Sequence, residues 1–115
     1  TESPKAEQVY VQVEKKPEYI GGVDSLLSFI AKNVVYPQEA ISIGIEGNVV
    51  VRFIVDKTGK VTNPEVLRSV NPLLDNAALD VVKKLPNFIP GTQAGKNVSA
   101  YYLIPIKFNL SKLNE

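Results

Sequence analysis

The pattern of hydrophobic positions is clearest as a hairpin whose first strand runs from Val49 to Val55. Val49, Val51, Phe53 and Val55 share one parity; Val50, Arg52 and Ile54 share the other. A period of two predicts a strand with one buried face. Asp56-Lys57-Thr58-Gly59 follows as a turn, with glycine where positive φ is needed. The chain then returns from Lys60 to Val70, completing a hairpin. Pro64 lies inside the return and cannot donate to a ladder, so this strand is expected to be bulged or to lie on an edge. A second long alternation runs from Val98 to Leu110 and sets Val98, Ala100, Tyr102, Ile104, Ile106, Phe108 and Leu110 on the side predicted to face the helices. A shorter one, Val9, Val11 and Val13, predicts a strand near the start.

Helical spacing appears in two places. Val23, Leu26, Leu27, Ile30 and Ala31 fall on one face of a helix predicted from Val23 to Asn33. Tyr36-Pro37 stops it, because the residue before proline avoids the α region. Pro37 is placed to open a second, short helix through Gln38, Glu39, Ala40 and Ile41, with Gly44 as its C-terminal cap. The stronger pattern is Leu74, Ala77, Ala78, Val81, Val82 and Leu85, preceded by Asn71-Pro72 as cap and first turn and ended by Pro86. Phe88, Pro90, Gly91 and Gly95 are expected to form a loop.

The order is therefore strand, helix, short helix, hairpin, helix, long strand. Two amphipathic helices on one face of a small antiparallel sheet of three to four strands make an α+β sandwich of two layers. The domain is placed at residues 17–110. Residues 1–16 are expected to be a linker end or N-terminal strand, the first eight being polar, and 111–115 a tail. With 115 residues and 44% apolar positions, one domain with one core is the expectation.

Composition removes function classes more than it adds them. Thirteen basic and twelve acidic residues leave a net charge of +1, with no long-range pull on nucleic acid or anionic lipid. The chain holds no Cys and no His. It thus has no thiol nucleophile, no imidazole base and no thiolate or imidazole metal site. Asp75 and Asp80 do not share a helix face, Asp56 lies in a turn, and Glu46 has no catalytic partner in view, so no acid–base pair assembles. No apolar run reaches membrane-spanning length. The chain opens at Thr1 without Met, and the expectation is a piece of a longer protein whose anchor or export signal lies upstream.

The last strand offers a different kind of site. Pro105 has no N–H, so the side of the strand that carries its backbone is better left unpaired. The odd-numbered backbone groups of Ser99, Tyr101, Leu103, Lys107 and Asn109 would then form an open edge, a template for an added strand. Lys107 and Pro105 read equally as guards against unwanted pairing. The sheet's outer face is also more apolar than a solvated face should be, with Val50 and Ile54 beside Tyr101 and Leu103. Either the N-terminal strand or a loop covers it, or a partner does.

From Tyr36 to Val61 the residues Tyr36-Pro37, Ala40, Ile45-Glu46-Gly47, Val49, Val51, Phe53, Val55, Gly59 and Val61 resemble the TonB C-terminal signature in type and spacing. The match continues to Phe88, Pro90-Gly91, Gly95 and Phe108. Upstream, Pro17-Glu18-Tyr19-Ile20-Gly21-Gly22 resembles the prefix of TonB-like domains of the Bacteroidetes type. The resemblance implies a periplasmic binding domain without cofactor, part of a protein anchored in the inner membrane and powered by an ExbB/ExbD-type motor. It implies that the TonB box of an outer-membrane transporter adds as a strand beside Val98 to Leu110. It also implies that Asn33, Val34 and Val35 approach the transporter. Pro86 departs from the pattern, where relatives usually carry an aromatic residue, and so does Pro105 within the edge. Two other readings stay open: a partner-recognition domain on a membrane-bound sensor or peptidase, and a strand-swapped homodimer.

Overall fold

The computed structural model describes residues 9–110; the expected linker end at 1–8 and the tail at 111–115 lie outside them. Eight elements follow one another: β1 (Val9–Tyr10), α1 (Gly22–Asn33), α2 (Gln38–Ile43), β2 (Gly47–Val55), β3 (Val61–Arg68), α3 (Pro72–Lys83), β4 (Gly91–Gln93) and β5 (Lys96–Phe108). The sheet order is β1-β5-β2-β3, with β4 paired to β5 off that path.

The hairpin forms where the alternation placed it. The Asp56 carboxylate accepts from the N–H of Thr58 (2.9 Å) and of Lys60 (3.0 Å) and from the Thr58 hydroxyl (2.6 Å). Those bonds close the turn, and Gly59 takes φ +90° within it. β3 is the sheet's edge and is bulged twice, once where Asn63 and Pro64 stand between Thr62 and Glu65. Asn63 absorbs that bulge at φ 50°. Both consequences expected of Pro64 are therefore present.

The core lies between sheet and helices. Val49, Val51, Phe53 and Val55 of β2 and Ile104, Ile106 and Phe108 of β5 meet Leu74, Ala78, Val81 and Val82 of α3. α3 packs on β3 and β2. It begins with Asn71, whose side chain accepts from the Leu73 N–H (2.9 Å), and with Pro72 at its first turn.

Four elements differ from their expected form. α1 buries only Leu26 and Ile30 fully and leaves Val23 and Leu27 61% and 46% exposed. Phe29, which packs on Tyr19, is its other inward residue. A wide apolar stripe fixes that a helix is amphipathic but not which part of the stripe meets the core. Pro37 stands at the cap of α2, one position before its first turn. The stretch expected as a loop holds the short strand β4, and Phe88 is buried against Phe53, Tyr102 and Tyr19. A three-residue strand carries no periodicity to read. Finally, β1 ends at Tyr10 and pairs in parallel with β5, so the sheet is mixed. It occupies the β5 side of the sheet at Ser99 and Ala100 and does not cover the outer face, where Leu103 remains exposed.

Candidate functional site

β5 is paired along one side throughout its second half. β2 runs antiparallel to it in unbroken register from Val55↔Ala100 to Gly47↔Phe108. On the other side β1 takes only Ser99 and Ala100. Among the described residues no strand pairs with that side from Tyr101 to Phe108. The register passes through Pro105↔Val50 without a shift. That fits odd-numbered backbone groups turned away from β2, since a proline on the β2 side would leave the ladder one donor short. The Leu110 N–H, of even parity, reaches the Glu46 carboxylate (3.0 Å) beside the start of β2, which fits the same arrangement.

The side chains of this stretch divide between two surfaces. Ile104, Ile106 and Phe108 point into the core. Tyr101, Leu103, Pro105 and Lys107 lie on the outer face, opposite Ile54, Arg52, Val50 and Asn48 of β2. The Arg52 guanidinium sits 4.2 Å from the centroid of the Tyr101 ring. Its Nε donates to Glu65 on β3 (2.7 Å). A cross-strand row therefore runs from β3 to the edge, holding the Tyr101 ring in place through a cation–π contact. Leu103 is 54% exposed.

The other expected positions separate. Ser99 is 4% exposed and lies opposite Val9 of β1, so its place on the edge is taken. Asn109 is exposed just past the end of β5. The Asn33 side-chain amide donates to the Phe29 carbonyl (2.8 Å), and the Val34 N–H donates to Ile30 (2.9 Å), closing α1. Asn33 and Val35 line a shallow groove with Pro37 and, from α3, Leu73, Ala77 and Asp80. That groove faces α3, while the open edge lies on β5. The two are linked through Tyr36, whose ring meets Phe108 edge-on at 5.3 Å and whose hydroxyl donates to the Ile45 carbonyl.

Several carboxylates are engaged with backbone. Asp56 holds the turn, Glu46 accepts from Leu110, Glu14 from the Ala94 N–H (2.9 Å), and Asp75 from the Val70 N–H (3.2 Å). No group of three or more metal-ligating side chains is found among the described residues, and no described helix is long and apolar enough to cross a membrane. Sequence reasoning placed a strand at Val9 but not its parallel pairing with Ser99 and Ala100 of β5, and it missed β4 altogether.

Residues 32–110 match the family described as Gram-negative bacterial TonB protein C-terminal. The chain is similar to Protein TonB of Xanthomonas campestris pv. campestris, 35% identical over 77 residues that cover 66% of this chain and 34% of that protein. It is similar to Protein TonB of Helicobacter pylori, 32% identical over 78 residues, or 67% of this chain and 26% of that protein. The chain thus spans about a third or less of the curated relatives it matches. Among solved structures, it resembles the NMR structure of the Helicobacter pylori TonB C-terminal domain with a TM-score of 0.58 and 28% identity, covering 76% of this chain and 92% of that one.

Proposed function

The chain belongs to the TonB C-terminal domain family, a periplasmic transducer and interaction domain and not an enzyme, and from that premise we propose that it binds the TonB box of outer-membrane transporters by strand addition to β5. The observation that carries this reading is the stretch Tyr101 to Phe108, backed by β2 on one side and unpaired by any described strand on the other. An extended segment laid there gains a ladder of backbone hydrogen bonds at once. Such a ladder depends little on side chains, which suits one domain serving several transporters. In the same proposal the box bonds to the backbone of Tyr101, Leu103 and Lys107. Asn33, Val34 and Val35 contact the transporter beyond the box. An ExbB/ExbD-type motor in the inner membrane, engaged through regions the relatives carry beyond the matched residues, supplies the pull from the proton gradient. The full-length protein is then anchored in that membrane.

The test is a titration of the isotope-labelled chain with TonB-box peptides, followed by backbone amide shifts. Shifts centred on Tyr101 to Asn109, with a smaller set at Asn33 to Val35, are the expected result. A folded monomer that gives no shifts with several unrelated box peptides overturns it and favours partner recognition on a sensor or peptidase. Silence in a concentration-dependent dimer overturns it in favour of self-association through the same edge.

A further inference from the structure

The edge has a wall as well as a ladder. Tyr19, just before α1, meets Phe88, and Phe88 meets Tyr102 of β5 at 5.3 Å in each case. Tyr36, just after α1, meets Phe108. α1 therefore runs alongside β5 in the same direction, from the level of Tyr102 to that of Phe108. Its lateral orientation follows from three sets of residues. Leu26 and Ile30 face the core. Asn33 lines the groove with α3, so that flank is turned toward α3, which itself covers β3 and β2. With about 3.6 residues per turn, Val23, Leu27 and Ala31 stack on the other flank of Leu26 and Ile30, roughly a third of a turn from Asn33. That flank looks away from α3, toward the open side of β5. All three residues are exposed, and α1 lies almost wholly upstream of the family match at 32–110.

β1 bounds the same edge at its other end. It pairs with Ser99 and Ala100, after which the chain bends away at Val11. It is tied down further on by the reciprocal bonds between Lys15 and Thr92 (3.1 and 2.9 Å) and between Glu18 and Ile89 (3.0 and 2.7 Å). A strand added to β5 thus begins no earlier than Tyr101.

We propose that α1 and β1 select the strand: the partner is an extended segment of at most eight paired residues, opposite Tyr101 to Phe108, with aliphatic side chains at every second position seated against Val23, Leu27 and Ala31. This rests on the strand-addition reading above and adds the side-chain pattern it accepts. A strand continuing the sheet alternates its side chains between the two faces. One set must point to the helix side, where the exposed flank of α1 is the surface at hand; the other lies beside Tyr101 and Leu103. Continuity between an unpaired ladder and this flank makes an alternating peptide the occupant that buries both.

The experiment uses fluorescein-labelled octapeptides, one alternating valine and threonine and one of identical composition with the valines clustered. They are titrated into the unmodified chain and into Val23→Asp and Leu27→Asp variants. Both substitutions fall on exposed positions, and circular dichroism checks that the fold is retained. The alternating peptide is expected to bind more tightly than the clustered one. Each variant is expected to weaken it at least about tenfold, the scale of losing one buried aliphatic contact. Amide shifts at Tyr101 to Phe108 combined with unchanged affinity in both variants overturn the selection by α1 and leave strand addition standing. No shift at Tyr101 to Phe108 with either peptide overturns both. Variants that alter sedimentation of the free chain, but not peptide affinity, assign this flank to contact between copies and also overturn the proposal.

Discussion

Gly59 sits at φ +90° in the turn between β2 and β3. Its carbonyl accepts from the Phe88 N–H at 2.7 Å, and a Cβ placed on it would run into the Phe88 carbonyl oxygen. The residue therefore does two things: it turns the hairpin and lets the segment after α3 close over the sheet end. Phe88 in turn packs on Phe53, Tyr102 and Tyr19, so the turn and the aromatic cluster share one support. Gly59→Ala combines an unfavourable left-handed backbone with a steric clash against main chain, and is expected to cost about 3 kcal/mol. Urea denaturation of the variant and its parent measures the difference. The need for glycine was legible from the turn sequence; the close approach of Phe88 was not, because the two residues are distant along the chain.

At the scale of elements, the two longer helices are held in different ways. α3 has a side-chain cap at Asn71, a proline in its first turn and five buried residues. α1 opens after Gly21 without a side-chain cap and buries two. Asn71→Ala leaves the Leu73 N–H without its acceptor and is expected to lower stability by about 1 kcal/mol, measured as a shift in the chemical denaturation midpoint with unchanged slope. α3, β2 and the even side of β5 follow their sequence patterns because each has one dominant face and the core takes it. α1 does not, since its apolar stripe is wider than the strip of core available to it. β4 is too short for any pattern, the alternation at Val9 outlasts the two residues of β1 that pair, and the pairing of both with β5 is decided by where distant segments come to rest.

The whole molecule responds to pH through groups whose titration folding perturbs. Burial acts to raise the Asp56 carboxyl, but the hydrogen bonds from Thr58 and Lys60 and the Lys60 charge outweigh it and hold the group below its ordinary 3.8. The folded chain thus releases this proton more readily than the unfolded one. The resulting stability is complete above 3.8 and is lost as the pH falls through the lower folded value. Asp56→Asn is expected to be less stable than its parent near neutrality, with the gap closing on acidification. Urea midpoints of both, followed from about pH 7 to about pH 2, check it. Tyr36 and Tyr102 act at the other limb. Burial raises both, and Glu46 raises Tyr36 further. Their contribution is complete below 10.0 and fades as the pH rises through the raised values.

The sequence by itself determined the elements whose period exceeds the noise of single residues: the β2–β3 hairpin with its bulged edge, the capped α3, and the alternation of β5. It also determined which chemistry is missing, since without His or Cys neither an imidazole base nor a thiol can be assembled by any fold. The open edge was legible only as a consequence of Pro105, because backbone pairing leaves no trace in side-chain pattern except where a donor is lost. Tertiary structure decided the rest. It shortened the edge at Ser99 by placing β1 there, set Asn33 and Val35 in a groove against α3, and turned Val23 and Leu27 outward beside the edge. Each of these depends on which segments become neighbours, and that is fixed by the packing of the whole core rather than by any local run of residues.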